Sequence, residues 1–174
     1  MSKGYAAIII QNSAGSGKAK DYNINILKQN TLIASIKMPI DIFVGKASVQ
    51  TNIYVFKVGE KHHKDEMVKF IDFSNDGYSR SSRKKGSNNL KDKDRAKERY
   101  QELVSLVRFD KSKLSIFTEK EYYEATINPN NGADWNYNPI IDKKVTLEDL
   151  KKTVSDYLAW EVSSLLKERV DKGK

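Results

Sequence analysis

Gly4-Tyr-Ala-Ala-Ile-Ile-Ile-Gln-Asn-Ser-Ala-Gly-Ser-Gly-Lys18 is the stretch on which the reading of the fold turns. Within it, Tyr5 to Ile10 is a short apolar run rich in β-branched residues and closed by the turn formers Ser13 to Gly17. Such a run predicts a strand buried on both faces and lying centrally in a sheet. Downstream, Tyr22, Ile24, Ile26 and Leu27 suit a short helix that ends near Asn30 and covers one sheet face. Leu32 to Ile36 is a second apolar run, stopped by Met38-Pro39, and Ile53 to Phe56 a third, stopped by Val58-Gly59. A strand-helix-strand unit with so short a connector predicts a parallel pair with a right-handed crossover, while the orientation of the third strand stays open. Val68 to Phe73 is a candidate fourth strand.

Working outward, the class is α/β and the core is modest. The chain has 174 residues, 39% hydrophobic and 31% charged, which suits one domain with solvated appendages. There is no cysteine, so disulfides, thiolate metal sites and cysteine nucleophiles are excluded. No signal-peptide succession is present, and no apolar run nears the roughly 18 residues of a membrane span, so the expectation is a cytoplasmic protein with no membrane partner.

The formal charge of +8 is concentrated. From Tyr78 to Arg99 nine basic residues (Arg80, Arg83, Lys84, Lys85, Lys91, Lys93, Arg95, Lys97 and Arg99) face three acidic ones (Asp92, Asp94 and Glu98), a local balance of +6. Almost nothing there is apolar, so the segment reads as an arm. Clustered Arg and Lys displace counterions from a nucleic-acid backbone, which makes DNA the expected partner. The competing view is a solvated charge run; concentration on one segment favours the functional one. The arm runs into a helix over Glu98 to Val107, whose stripe Tyr100, Leu103, Val104 and Val107 needs a docking surface.

Asn128 to Gly132 is a turn cluster, and Thr146 to Glu168 is the clearest helix, opening with the capping pair Thr146 and Asp149. Leu147, Leu150, Val154, Leu158, Val162, Leu165 and Leu166 recur every three or four residues, as in an amphipathic helix that packs on another helix or chain or stays exposed. The divisions are thus a partial α/β core at 1–77, a basic arm at 78–99, an irregular extension with a short helix at 100–145, and an amphipathic helix at 146–170.

Chemistry is sparse. Ala14-Gly-Ser-Gly-Lys-Ala19 invites a phosphate-loop reading, but Asn12 stands where the first glycine belongs and Ala19 where Ser or Thr belongs. The loop still follows a strand and precedes a helix, where open sheets hold ligands. His62 and His63 are adjacent, with no further histidine to complete a zinc site, and read as solvated loop residues. No carboxylate pair or Ser, His and Asp set is placed for catalysis. Trp135 and Tyr137 could stack on bases, though packing is the commoner role. No catalytic or metal-binding residue is assigned.

Gly4 to Lys18 resembles the strand and loop after the catalytic strand in the modification subunit of type I restriction-modification systems, an adenine-N6 DNA methylase family. Leu32 to Pro39, Ile42-Phe43, Ala47 to Phe56, Phe70 to Tyr78 and Trp135-Asn-Tyr-Asn138 resemble that family's later strand, hairpin and following stretches. The resemblance implies the C-terminal portion of a doubly wound S-adenosylmethionine-dependent methyltransferase fold, a few-stranded mixed sheet with flanking helices and an antiparallel hairpin at the sheet edge, plus the long C-terminal helix. Family members hold S-adenosylmethionine on a glycine-rich strand turn and the target adenine on an Asn-Pro-Pro-aromatic motif. Neither motif is present; Asn128-Pro-Asn-Asn and Asn138-Pro-Ile-Ile are the only Asn-Pro pairs. Because the chain starts just before a strand that follows the catalytic motif in the family, the resemblance implies an excised C-terminal piece or one product of a split or truncated gene. It is expected to bind no donor and to be inactive alone. The implied partners are the methyltransferase N-terminal half, specificity and restriction subunits, DNA, and a second copy pairing through the open sheet edge. Ser13, Gly15, Gly17 and Lys18 are then the loop expected nearest the target DNA, with Arg80, Arg83, Lys84 and Lys85 as backbone contacts. The rival expectation is a non-catalytic nucleic-acid-binding or subunit-interaction module.

Overall fold

Tyr5 to Ile10 does form a strand, β1 (Gly4–Gln11), which passes through a 3-10 turn (Asn12–Ala14) into α1 (Lys20–Leu27) and β2 (Asn30–Lys37). Then follow β3 (Thr51–Val58), β4 (Met67–Asp72), β5 (Tyr78–Arg83), β6 (Ser87–Asp92), α2 (Ala96–Arg108), β7 (Tyr122–Thr126) and α3 (Leu147–Asp171). The computed structural model describes residues 4–43, 49–83, 87–109, 114–138 and 147–171. The chain falls into two units, Met1–Pro139 and Ile140–Lys174.

Five strands make one mixed sheet in the order β1-β3-β2-β4-β7. β3 is antiparallel to both β1 and β2, β2 is parallel to β4, and β7 is antiparallel to β4. The expected direct pairing of β1 with β2 is therefore corrected: the two run the same way, but β3 lies between them. An antiparallel return from β2 through the connection at 38–50 takes the slot that a β1–β2 pair would need. The expectation of a central, doubly buried β1 is corrected with it. β1 ends the sheet, and Ile8, Ile9 and Ile10 keep 47%, 47% and 44% of their surface exposed.

The interior strand β2 reads as a continuous apolar run because it serves both faces. Its register against β3 shifts between Leu32 and Ala34, a bulge that turns Ala34 and Ile36 to the face opposite Leu32. One face packs Leu27 of α1 with Leu32, Tyr54, Phe56, Val68, Phe70, Ile127, Trp135 and Tyr137. The other packs Leu103 and Leu106 of α2 with Ile36, Met38, Ile71, Phe73, Phe117 and Tyr122. Helices on both faces of a mixed sheet are the doubly wound architecture. The expected stripe of α2 is met at Leu103 and Val107 and corrected elsewhere: Leu106 is buried in place of Val104 and Tyr100, which stay 48% and 37% exposed; truncating either leucine to alanine is the kind of change that costs about 2–5 kcal/mol.

Two segments carry more regular structure than their sequence suggested. The supposed arm is an antiparallel hairpin, β5 against β6, pairing Tyr78 with Asp92 through to Arg83 with Ser87, before it enters α2. Polar residues form strands there because the ladder satisfies the backbone. The stretch at 100–145 contains β7, whose Tyr122, Tyr123 and Ala125 close the sheet against Ile71, Phe70 and Val68. The turn at Asn128–Gly132 is present, closed by Asn131 N donating to Asn128 O with Gly132 at φ +64°. α3 extends 25 residues, about 37 Å at 1.5 Å per residue, with Leu150, Val154, Leu158 and Val162 exposed. The expected capping pair Thr146 and Asp149 falls outside the described side chains. No helix among the described residues is long and apolar enough to cross a membrane.

Candidate nucleic-acid interface at one end of the sheet

Because β1, β2 and β4 share a direction, their carboxyl ends meet at one end of the sheet. That is the end at which open α/β sheets hold ligands. Three connections emerge there: the loop after β1, the stretch Met38 to Phe43 after β2, and Phe73 to Gly77 after β4.

The loop after β1 has a defined shape. Gly15 N donates to Asn12 O at 3.1 Å, Lys18 N to Ser13 O at 3.3 Å, and Gly17 takes φ +118°, open to glycine alone without strain. Ser13 lies in the 3-10 turn, Gly15 is buried, and Lys18 is exposed. A segment far along the chain grips the loop from inside. Trp135 N donates to Gly15 O at 3.2 Å, and Asn136 Nδ2 donates to Asn12 O at 2.9 Å. Asn136 Oδ1 in turn accepts from the Tyr54 hydroxyl at 2.6 Å and from Asn52 Nδ2 at 2.9 Å. Burial pushes the Tyr54 phenol up to about 12, so it stays protonated as a donor. Asn23 closes the arrangement, its Nδ2 donating to Ala14 O at 2.8 Å and Gly132 O at 2.7 Å.

The hairpin is rooted at the same end. Arg80 donates through both terminal nitrogens to the Asp76 carboxylate, and its Nη1 also meets Asp41 Oδ1 at 3.1 Å. Asp76 further accepts from Tyr78 N at 3.1 Å and the Tyr100 hydroxyl at 3.1 Å. Burial works against the charged guanidinium, yet the Asp76 carboxylate outweighs it and holds the Arg80 pKa above its ordinary value. Burial, then Asp76, pushes the Tyr100 phenol up to about 12. Gly77, at φ +85°, lets the hairpin cross α2: a Cβ there would lie 2.5 Å from Ala96 Cα. Arg99, also buried, is held by Asp94 at 3.0 Å and Glu121 at 3.2 Å.

Of the expected site residues, Ser13, Gly15, Gly17 and Lys18 lie in the loop after β1, and Arg80 lies at the base of the hairpin that follows β4, with β3 and β2 between those two strands. Arg80 and Arg99 are both engaged by carboxylates, whereas Lys91, Lys93, Arg95 and Lys97 are exposed. The Arg83 side chain and all of Lys84 and Lys85 lie outside the described residues. Exposed Ile40 and Phe43 stand on the connection after β2. Sequence reasoning missed Asn52, Tyr54, Asp76 and Asn136; all four sit inside the specific wording Ala47 to Phe56, Phe70 to Tyr78 and Trp135 to Asn138, which was the available signal. Trp135 and Tyr137 are packed in the core.

The expectation of two solvated histidines is corrected for His62, which is 0% exposed. Its backbone N donates to Leu27 O at 2.9 Å, drawing the turn onto the end of α1 and enclosing the imidazole. Burial lowers the His62 pKa, opposed by Glu66, whose carboxylate lies 3.5 Å from Nδ1. Among the described residues no group of His, Cys, Asp and Glu is placed to hold a metal.

With this geometry in view, the family model described as N-6 DNA Methylase matches residues 1–153. A chain from a structure on complex assembly and conformational transition of the type I R-M system is 10% identical, with a TM-score of 0.53, over 95% of this chain and 35% of that one. The type I restriction-modification methyltransferase subunit from Streptococcus thermophilus is 18% identical, with a TM-score of 0.45, over 71% of this chain and 23% of that one. The chain therefore spans about a third of the length of the first of these. No curated protein matches it.

Proposed function

The chain belongs to the N-6 DNA methylase family, and from that premise we propose that it is the C-terminal portion of an adenine-N6 DNA methyltransferase of a bacterial type I restriction-modification system. The observation that carries this reading is the open edge of β1. Among the described residues no strand pairs with the outer side of β1, whose eight residues hold no charge and no proline and leave three isoleucines exposed. Edges of that kind are filled by another strand. We assign that place to the methyltransferase N-terminal half, which adds strands on the β1 side and completes the doubly wound sheet.

S-adenosylmethionine is the family's methyl donor, and the described residues of this chain do not fit it. The glycine-bearing loop after β1 is filled from within at Gly15: a Cβ there would lie 2.2 Å from the Tyr54 hydroxyl and 2.4 Å from Asn136 Oδ1. No cradle for a ligand is left behind it. Donor binding and methyl transfer fall to the N-terminal half, and the chain is inactive alone.

Its own contribution is contact with DNA. A base that reacts at its amino nitrogen must leave the stack for a pocket. The loop Asn12 to Lys18, at the end of the sheet where ligands sit, supplies the outer wall of that pocket. Arg83, Lys84 and Lys85, which follow one another in the chain from the last residue of β5, contact the phosphate backbone, and Arg80 anchors the base of the hairpin that carries them. The test is reconstitution: this chain, mixed with a chain carrying the donor-binding and catalytic motifs, regains donor binding by calorimetry and adenine methylation of DNA, and neither appears without the mixture. Partner binding without methylation in every mixture would sink the proposal.

The second reading, a subunit-interaction or nucleic-acid-binding module without catalytic duty, draws on α3, whose exposed Leu150, Val154, Leu158 and Val162 suit docking on a specificity or restriction subunit. Binding of such subunits in the absence of any methyltransferase half would favour it.

A further inference from the structure

Asn136 is engaged at both ends of its amide. The oxygen accepts from two buried donors on β3, Asn52 and Tyr54, and the nitrogen donates to the Asn12 carbonyl at the mouth of the loop after β1. The neighbouring Trp135 N–H donates to Gly15 O, so two consecutive residues bind two points of the loop. A third tie comes from Asn23, whose single amide nitrogen bridges Ala14 O in the loop and Gly132 O at the head of the gripping segment. The loop has no side chain of its own at the point of closest approach, because Gly15 leaves room only for the Tyr54 hydroxyl.

We infer that Gly132 to Asn136 is a clamp and Asn136 a positioning residue, which sets how the loop Asn12 to Lys18 is presented to the flipped base. The inference deepens the proposed function and rests on its assignment of this loop to the target pocket. The clamp makes physical sense where it is. A loop rich in glycine and serine has many conformations of similar energy, and presenting it to a ligand in one of them requires prior ordering. Carbonyls at Asn12, Ala14 and Gly15 are captured from inside, so the outer surface of the loop stays available. The tether from Asn136 comes 124 residues downstream of Asn12, past the basic hairpin, so the two DNA-facing elements are held by one folded unit.

The experiment uses the full chain and two readouts. Amide hydrogen exchange is followed peptide by peptide for wild type, Asn136→Ala, Asn136→Asp and Gly15→Ala, and affinity for a short DNA duplex is measured on the same proteins across a salt series. Asn136→Ala is expected to speed exchange at residues 12–18 by roughly tenfold, the scale of one or two missing hydrogen bonds, while β2 and β4 change less than about twofold. Asn136→Asp keeps the acceptor for Tyr54 and Asn52 but has nothing to donate to Asn12, so it falls between. Gly15→Ala displaces the loop by a different route and reproduces the Asn136→Ala pattern. Duplex affinity drops in all three, and in Asn136→Ala and Gly15→Ala, which alter geometry and not charge, the salt slope is unchanged.

Equal acceleration in the sheet core, or an unaltered loop, would overturn the inference by making Asn136 an ordinary packing residue. Should Asn136→Ala not fold, the wild-type chain still decides: the Gly15 and Trp135 amides must open together, and clearly different exchange rates for them would overturn the clamp. If no protein in the series binds duplex, the assignment of the loop to DNA fails while the exchange arm still judges the clamp.

Discussion

Arg80 and Asp76 form a buried ion pair at the root of the basic hairpin, with side chains 10% and 1% exposed. Two strands alone make a marginal structure in water, so the hairpin needs a fastening, and this pair with Gly77 and Tyr100 supplies it. Asp76→Ala leaves the guanidinium enclosed with Asp41 as its remaining partner. Breaking a buried pair from one side costs about 3–5 kcal/mol, and the residual Asp41 interaction places the expected loss near the lower figure. Urea denaturation measures it; a change under about 0.5 kcal/mol, the range of an ordinary surface substitution, would show that the pair is not a fastening.

Replacing Arg83, Lys84 and Lys85 together by alanine should leave stability near wild type and lower the dependence of DNA affinity on salt. Each phosphate that is no longer neutralised takes roughly 0.9 off the slope of log affinity against log salt. A slope equal to wild type would take these three residues out of the interface.

His62 makes stability depend on pH. Its folded pKa is lowered from 6.5 by burial, so below that value the unfolded chain binds the proton more readily than the folded one. Stability is therefore fully present above about pH 6.5 and declines as pH falls from there toward the lowered folded value. His62→Leu removes the group, and the denaturation midpoint measured from about pH 7 down to about pH 5.5, which brackets the ordinary histidine value, should become flatter than in wild type. An identical profile in both proteins would contradict this.

The exposed edge of β1 allows a test of assembly that spares the fold. Ile9→Lys places a charge on a strand whose isoleucines are half exposed, at a stability cost of about 1 kcal/mol or less. Light scattering of the chain, alone and mixed with a methyltransferase N-terminal half, should then give the mass of one chain where wild type gives more. Persistent assembly with the lysine in place would move the interface elsewhere.

How far these features were legible differs from residue to residue. Short apolar runs marked β1 to β4, and helical spacing marked α2 and α3, because burial of an apolar face writes a period into the sequence. β7 passed unnoticed since Tyr-Tyr-Glu-Ala-Thr is too short to show one. The hairpin was hidden by its own chemistry: Ser, Arg and Asn alternate without an apolar face, and strand formation there follows from the ladder and the Asp76 root. His62 looked solvated for the same reason, a polar neighbourhood in sequence that tertiary contact with Leu27 turns into an interior.

The sequence by itself determined the class of fold, the family through the specific wording of its strands and turns, and the concentration of positive charge between Tyr78 and Arg99, all of which are local or additive properties. Tertiary structure alone decided the order of the strands, the exposure of β1, the engagement of Arg80 and Arg99 by carboxylates, and the hold of Asn136 on the loop. Those depend on which residues distant in the chain are brought within hydrogen-bonding reach, and no period or composition records that.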